Sequence, residues 1–91
     1  MADNKALVAH ELTHVQQMAR VGGAHWFWLK YLCSRKFRLD SEAEAYATSC
    51  VNNPGDPNSY VVNYGQLLKH NYYLGITLEE ACRAIRGYIP K

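Results

Sequence analysis

No stretch of this 91-residue chain is long and apolar enough to cross a bilayer. The longest apolar segment, around Ala24 to Cys33, falls far short of the roughly 20 residues a helical span needs, and His25 and Lys30 interrupt it. Signal-peptide features are equally lacking, so membrane association is not expected and the expected compartment is cytoplasmic. Excess charge of one sign is scarce too. A net charge of +2 and a pI near 8.5 are too mild for a nucleic-acid binder, and Gly75-Ile76 ahead of the last helix makes only a weak helix-turn-helix signal without a basic face. The only cation cluster, Lys30, Arg35, Lys36 and Arg38, reads as a solvated helix end before it reads as a patch for an acidic partner. Three cysteines, Cys33, Cys50 and Cys82, are odd in number and have no C-x-x-C spacing. They argue against a disulfide framework and for buried free thiols in a reducing compartment. Repeats and low-complexity tracts are absent, and a hydrophobic fraction of 48% excludes disorder. The expectation is a single domain over residues 1–91, near the size where one core is marginal and a bound metal contributes materially to folding.

What the chain does have is His10-Glu11-Leu12-Thr13-His14, which fits H-E-x-x-H. On a helix, residues four apart stand one turn above each other, so the two imidazoles can converge on one metal ion while Glu11 projects beside them. Zinc with three protein ligands keeps a fourth position for water and lowers its pKa to about 7, which leaves Glu11 the role of general base rather than ligand. Leu7, Val8, Leu12, Val15, Met18 and Ala19 recur at intervals of three and four, with no Pro or Gly before Gly22-Gly23. The segment from about Asn4 to Arg20 therefore reads as one buried or half-buried helix. The plainer alternative is two surface histidines on an ordinary amphipathic helix.

A third ligand is available downstream. Asp40-Ser41-Glu42-Ala43-Glu44-Ala45-Tyr46-Ala47 is rich in Ala and Glu and opens on residues of the capping type, predicting a helix from Ser41 to about Val51. Ser41 followed by Glu44 has the form of a capping box, which would turn Glu44 back toward the Ser41 N–H. Glu42 lies roughly 200° around the helix from Glu44, so only one of them can face the histidine pair. This selects Glu42, against the alternative that both belong to a solvated acidic first turn. Cys50 as an additional zinc ligand is the weaker possibility.

H-E-L-T-H followed by E-A-E-A-Y resembles the gluzincin clan of zinc metallopeptidases, thermolysin-like enzymes with H-E-x-x-H on one helix and a glutamate ligand on the next. Ala9 to Gln17 is also similar to the A-H-E-L-T-H-V-x-Q helix of minimal gluzincins and of small bacterial and phage peptidase-like domains. The resemblance covers roughly Lys5 to Ser49. It implies zinc held by His10, His14 and Glu42, peptide-bond hydrolysis by a metal-bound water with Glu11 as general base, and a peptide or protein substrate. The alternative, favoured by two departures from the family pattern, is a non-catalytic structural or interaction protein, zinc-stabilised or metal-free and phage- or toxin-associated, with a protein partner or assembly and placement in a virion. In the clan an acidic residue four positions after the ligand glutamate supports a zinc histidine, and here that position is Tyr46, which supplies no negative charge. The small β-sheet that aligns substrate in thermolysin-like enzymes has no counterpart in Met1 to Asn4, so substrate would be gripped by helices and loops, or the polypeptide is a reduced or truncated relative.

The fold class expected is mainly α: a compact bundle of about five helices, the H-E-x-x-H helix packed on the Glu-bearing helix, with little or no β-sheet. A second helix from His25 to about Ser34 carries Trp26, Phe27, Trp28 and Tyr31. Asn52 to Pro57 is a dense turn, with Asp56-Pro57 suited to a helix start, and a fourth helix follows to His70 with Tyr60, Val61, Tyr64, Leu67 and Leu68 inward. Thr77-Leu78-Glu79-Glu80 is a capping box for a last helix to about Arg86, before Gly87 stops it. The aromatics Trp26, Trp28, Tyr31, Tyr60 and Tyr64 are expected in core and boundary positions before substrate subsites. His25, Tyr60, Tyr64, His70, Tyr72 and Tyr73 are chemically able to donate to a tetrahedral oxyanion, and sequence does not rank them.

Overall fold

Caps and glycines punctuate the chain into helices in the order expected. The computed structural model describes residues 2–72 and 74–90. α1 spans Ala2–Arg20, α2 Ala24–Cys33, α3 Arg35–Asn52, α4 Val61–Asn71 and α5 Leu78–Tyr88, and no strand occurs among the described residues. Gly22 and Gly23, both at positive φ, close α1 through the Gly23 N–H on the Met18 carbonyl and let the chain reverse into α2. Asp56 accepts from the Asn58 N–H and starts a 3-10 turn, Pro57–Tyr60, that leads into α4. Thr77 and Glu80 make the reciprocal capping box expected for α5. Gly87, without a positive φ, does not stop that helix, which runs on to Tyr88.

The largest departure from expectation is α3. It begins at Arg35, six positions before Ser41, because Ser34 takes the N-cap and accepts from the Phe37 N–H at 3.1 Å. Ser41 is therefore buried in the helix interior and makes no capping box with Glu44. The cations Arg35, Lys36 and Arg38 lie at the N-terminal end of this helix rather than at a C-terminal pole, and two of them have partners. Lys36 pairs with Asp40, while Arg38 bonds the carbonyls of Tyr31 and Tyr72.

α3 is the spine of the molecule. One side joins α4, the following loop and α5 in an apolar core of Ala43, Tyr46, Ala47, Cys50, Val61, Leu68, Leu74, Ala81, Cys82 and Ile85. At Gly65 a Cβ would meet the Cys82 sulfur at 2.8 Å, so glycine is what allows α4 and α5 to approach so closely. The other side of α3 receives α1 through small and polar residues. Ala6, His10, Thr13 and Gln17 are the buried stripe of α1, and Ser49 Oγ donates to the Ala6 carbonyl at 3.0 Å. Leu7, Val8, Leu12 and Val15, expected inward, are each more than half exposed. On α2 only Phe27 is buried, and Trp26 and Trp28 face outward. Of the three free thiols, Cys50 and Cys82 are buried and Cys33 is exposed. No described helix is long and apolar enough to cross a membrane.

Candidate metal centre

His10 and His14 come from successive turns of α1, and Glu42 comes from the second turn of α3, which is buried where α1 crosses it. Their donor atoms form a nearly equilateral triangle. His10 Nε2 is 3.2 Å from His14 Nε2, and Glu42 Oε1 is 3.3 Å from His10 Nε2 and 3.2 Å from His14 Nε2. Ligands about 2.05 Å from a tetrahedral zinc ion stand about 3.3 Å apart, so these edges have the size of one face of such a site. Two imidazoles and a carboxylate are also a donor set that zinc takes in catalytic sites.

Hydrogen bonding fixes how His14 presents itself. Both protons of the Gln17 amide are committed, one to the Ser41 carbonyl at 2.9 Å and one to Glu44 Oε1 at 3.0 Å. Gln17 Oε1 must then accept, and its partner at 2.9 Å is His14 Nδ1. Nδ1 carries the proton, so in neutral His14 the lone pair lies on Nε2, inside the triangle. The His14 Nε2 lone pair and Glu42 Oε1, 3.2 Å apart, are then both acceptors and repel each other unless a cation, or a proton on one of the imidazole Nε2 atoms, sits between them.

The charges agree with that demand. Burial works against the ionised form of Glu42, but hydrogen bonds from His10, His14 and Tyr31 outweigh it and hold the carboxyl down to about 2. Burial likewise disfavours protonated His14, yet its bonds to Glu42 and Gln17, with the charges of Glu42 and Glu11, raise it above the ordinary histidine value. Tyr31 is pushed well above the usual phenol range by burial and then by its bond to Glu42, so the proton between them belongs to the tyrosine.

Glu11 makes no contact within the triangle; it is exposed and borders a cavity of about 310 Å³ together with His10. Leu7, Leu67, Ser49 and the rings of Tyr46, Tyr64 and Tyr72 form its remaining walls. Glu44 points away, to Arg20 and Gln17, so the structure brings Glu42 and not Glu44 to the histidines, although the capping box invoked to separate the two is absent. Cys50 lies in the apolar core with its thiol pushed up by burial to about 11, outside the cluster.

Tyr46 does not act as a carboxylate would. Its ring packs edge-on against His10 at 4.5 Å, while its hydroxyl bonds that of Tyr72 at 2.7 Å. Among the candidate oxyanion donors, Tyr64 and Tyr72 reach the cavity, Tyr60 bonds the Pro54 carbonyl, and His25 and His70 are exposed. Tyr73 lies outside the described residues. Two contributors escaped the sequence reading. Gln17 had a signal, its position three residues after His14 on the same helix face; Tyr31 had none, because its partner is on another helix.

No protein-family model, curated protein or solved structure matches this chain.

Proposed function

We propose that this chain is a small zinc-dependent peptide hydrolase of gluzincin type, with His10, His14 and Glu42 as metal ligands and Glu11 as general base. The observation that carries the reading is the triangle of His10 Nε2, His14 Nε2 and Glu42 Oε1, with edges of 3.2–3.3 Å, bordered by a cavity that Glu11 shares with His10. When bound there, zinc supplies Lewis acidity that brings the pKa of water down to about 7. The chain's own residues do the rest. Gln17 holds the His14 Nε2 lone pair toward the site. Glu11, exposed at the cavity edge, is free to take a proton and return it to a leaving amine. The cavity has apolar and aromatic walls suited to a peptide side chain, and the Tyr64 hydroxyl, which accepts from Asn53, and one hydroxyl of the Tyr46–Tyr72 pair keep a proton for a developing oxyanion.

A second reading, a zinc-stabilised structural or interaction protein without turnover, is favoured by the outward apolar faces of α1 and α2. Zinc-loaded wild type and Glu11→Gln distinguish the two. Both are expected to bind about one zinc per chain, since Glu11 is not a ligand, while Glu11→Gln lowers hydrolysis of a peptide library by about 100-fold or more. Equal inertness with zinc bound selects the structural reading, and failure of wild type to take up zinc ends both.

A further inference from the structure

We infer that Tyr31 is a positioning residue that restricts Glu42 to a single metal-binding oxygen. The inference rests on the metal-centre reading above and adds to it the device that decides how Glu42 presents itself. A carboxylate offers two oxygens, and a cation placed symmetrically before it can be chelated by both. Here the two are unequal. Oε1 faces His14 Nε2 at 3.2 Å and His10 Nε2 at 3.3 Å, whereas Oε2 accepts the Tyr31 hydroxyl at 2.5 Å. A hydrogen bond from a phenol to a buried, ionised carboxylate is charge-assisted and among the stronger ones available to a protein, and a cation drawing in Oε2 would have to break it.

The tyrosine itself is held through its backbone and its ring. Arg38 Nη1 donates to the Tyr31 carbonyl at 2.8 Å, and its guanidinium lies 5.9 Å from the ring centre. The same side chain donates through Nε to the Tyr72 carbonyl at 2.9 Å, tying α2 to the end of α4. Phe27 and Trp28 flank the ring at 5.7 and 5.2 Å between centroids. Tyr31 therefore makes α2 part of a site whose three donors all come from α1 and α3. A one-oxygen Glu42 gives three protein donors and leaves a position open, which a two-oxygen Glu42 would crowd.

Cobalt(II), which reports coordination number in its visible d–d bands, tests this without any assay of turnover. Wild type loaded with cobalt is expected to show the intense bands of a four-coordinate ion, and Tyr31→Phe, which removes only the hydroxyl, bands weaker by roughly twofold or more as the freed Oε2 joins the ion. Identical band intensities in a folded Tyr31→Phe overturn the proposal. So does a folded Tyr31→Phe that takes up no cobalt, because the hydroxyl would then be needed for binding itself. If Tyr31→Phe does not fold, the infrared difference spectrum of wild type with and without zinc decides: a separation of the carboxylate stretches wider than in the free ion marks one-oxygen binding and supports the proposal, and a narrower one marks chelation by both oxygens and overturns it. Failure of wild type to bind either cobalt or zinc defeats the underlying metal reading instead, and is seen before any variant is made.

Discussion

At the scale of single residues, Gln17 shows how a neutral side chain can do the work usually given to a carboxylate. Its amide spends both protons on Ser41 and Glu44, so its oxygen has only one role left, to receive the His14 Nδ1 proton. Gln17→Met preserves volume but removes that acceptor, and zinc affinity is expected to fall by about 10- to 100-fold, read by competition with a chromophoric chelator. Unchanged affinity would show that ring packing alone orients His14. Protonation gives a second expectation at this scale. In metal-free protein, His14 has a raised native pKa, so its contribution to stability is complete below 6.5 and is lost as pH rises through that raised value. Glu42 is depressed to about 2, so its contribution is complete above 4.5 and is lost as pH falls toward 2. Metal-free protein is therefore most stable between these limits, whereas zinc needs deprotonated imidazoles and stabilises more as pH rises. The gap in melting temperature between zinc-loaded and chelated protein should widen from about pH 5 to about pH 8; a constant gap would mean that the histidines do not bind the metal.

At the scale of elements, local signals were legible and the choice of partner face was not. The helix order, the Thr77–Glu80 box, the Asp56-Pro57 start and the Gly22-Gly23 stop are all chemistry within a few residues, and the helices follow them. Two capping patterns competed at the start of α3. Ser34 won because the helix extends upstream through Phe37 and Leu39, half-buried against neighbouring elements, and Ser41 was left in the interior. The periodicity of Val8, Leu12 and Val15 correctly says that they share a face. It cannot say which face meets α3. There, small residues Ser41, Ala45 and Ser49 admit the polar stripe of α1 closely enough for Gln17 and Ser49 to bond backbone carbonyls across the contact. The contrast is measurable by chemical denaturation. Leu12→Gln should change stability by no more than about 0.5 kcal/mol, since the side chain is 55% exposed, while Leu68→Ala in the core should cost about 2–5 kcal/mol. A large loss from Leu12→Gln would mean that the outer face of α1 is covered in solution.

At the scale of the whole molecule, the two sides of α3 are held by different physics. Toward α4 and α5 the contact is a continuous apolar core with Leu68, Leu74, Val61 and Ile85 fully enclosed. Toward α1 the buried side chains are Ala6, His10, Thr13 and Gln17, and α2 contributes Phe27 alone as a fully buried side chain. Apolar burial drives most of folding, while a hydrogen bond contributes only about 1 kcal/mol net, so the α1 and α2 side should open at lower free energy than the α3–α5 core. The candidate centre lies across that weaker seam, with two ligands on α1, one on α3 and Tyr31 reaching in from α2. A metal there would bind the closed seam and not the open one, which turns its binding energy into local stability. Hydrogen exchange followed by mass spectrometry should therefore find α1 and α2 exchanging before α4 and α5 in chelator. Zinc should slow exchange selectively in α1, α2 and the first half of α3. Uniform protection by zinc along the chain would instead indicate that all five helices open as one unit, with the polar seam as firm as the apolar core.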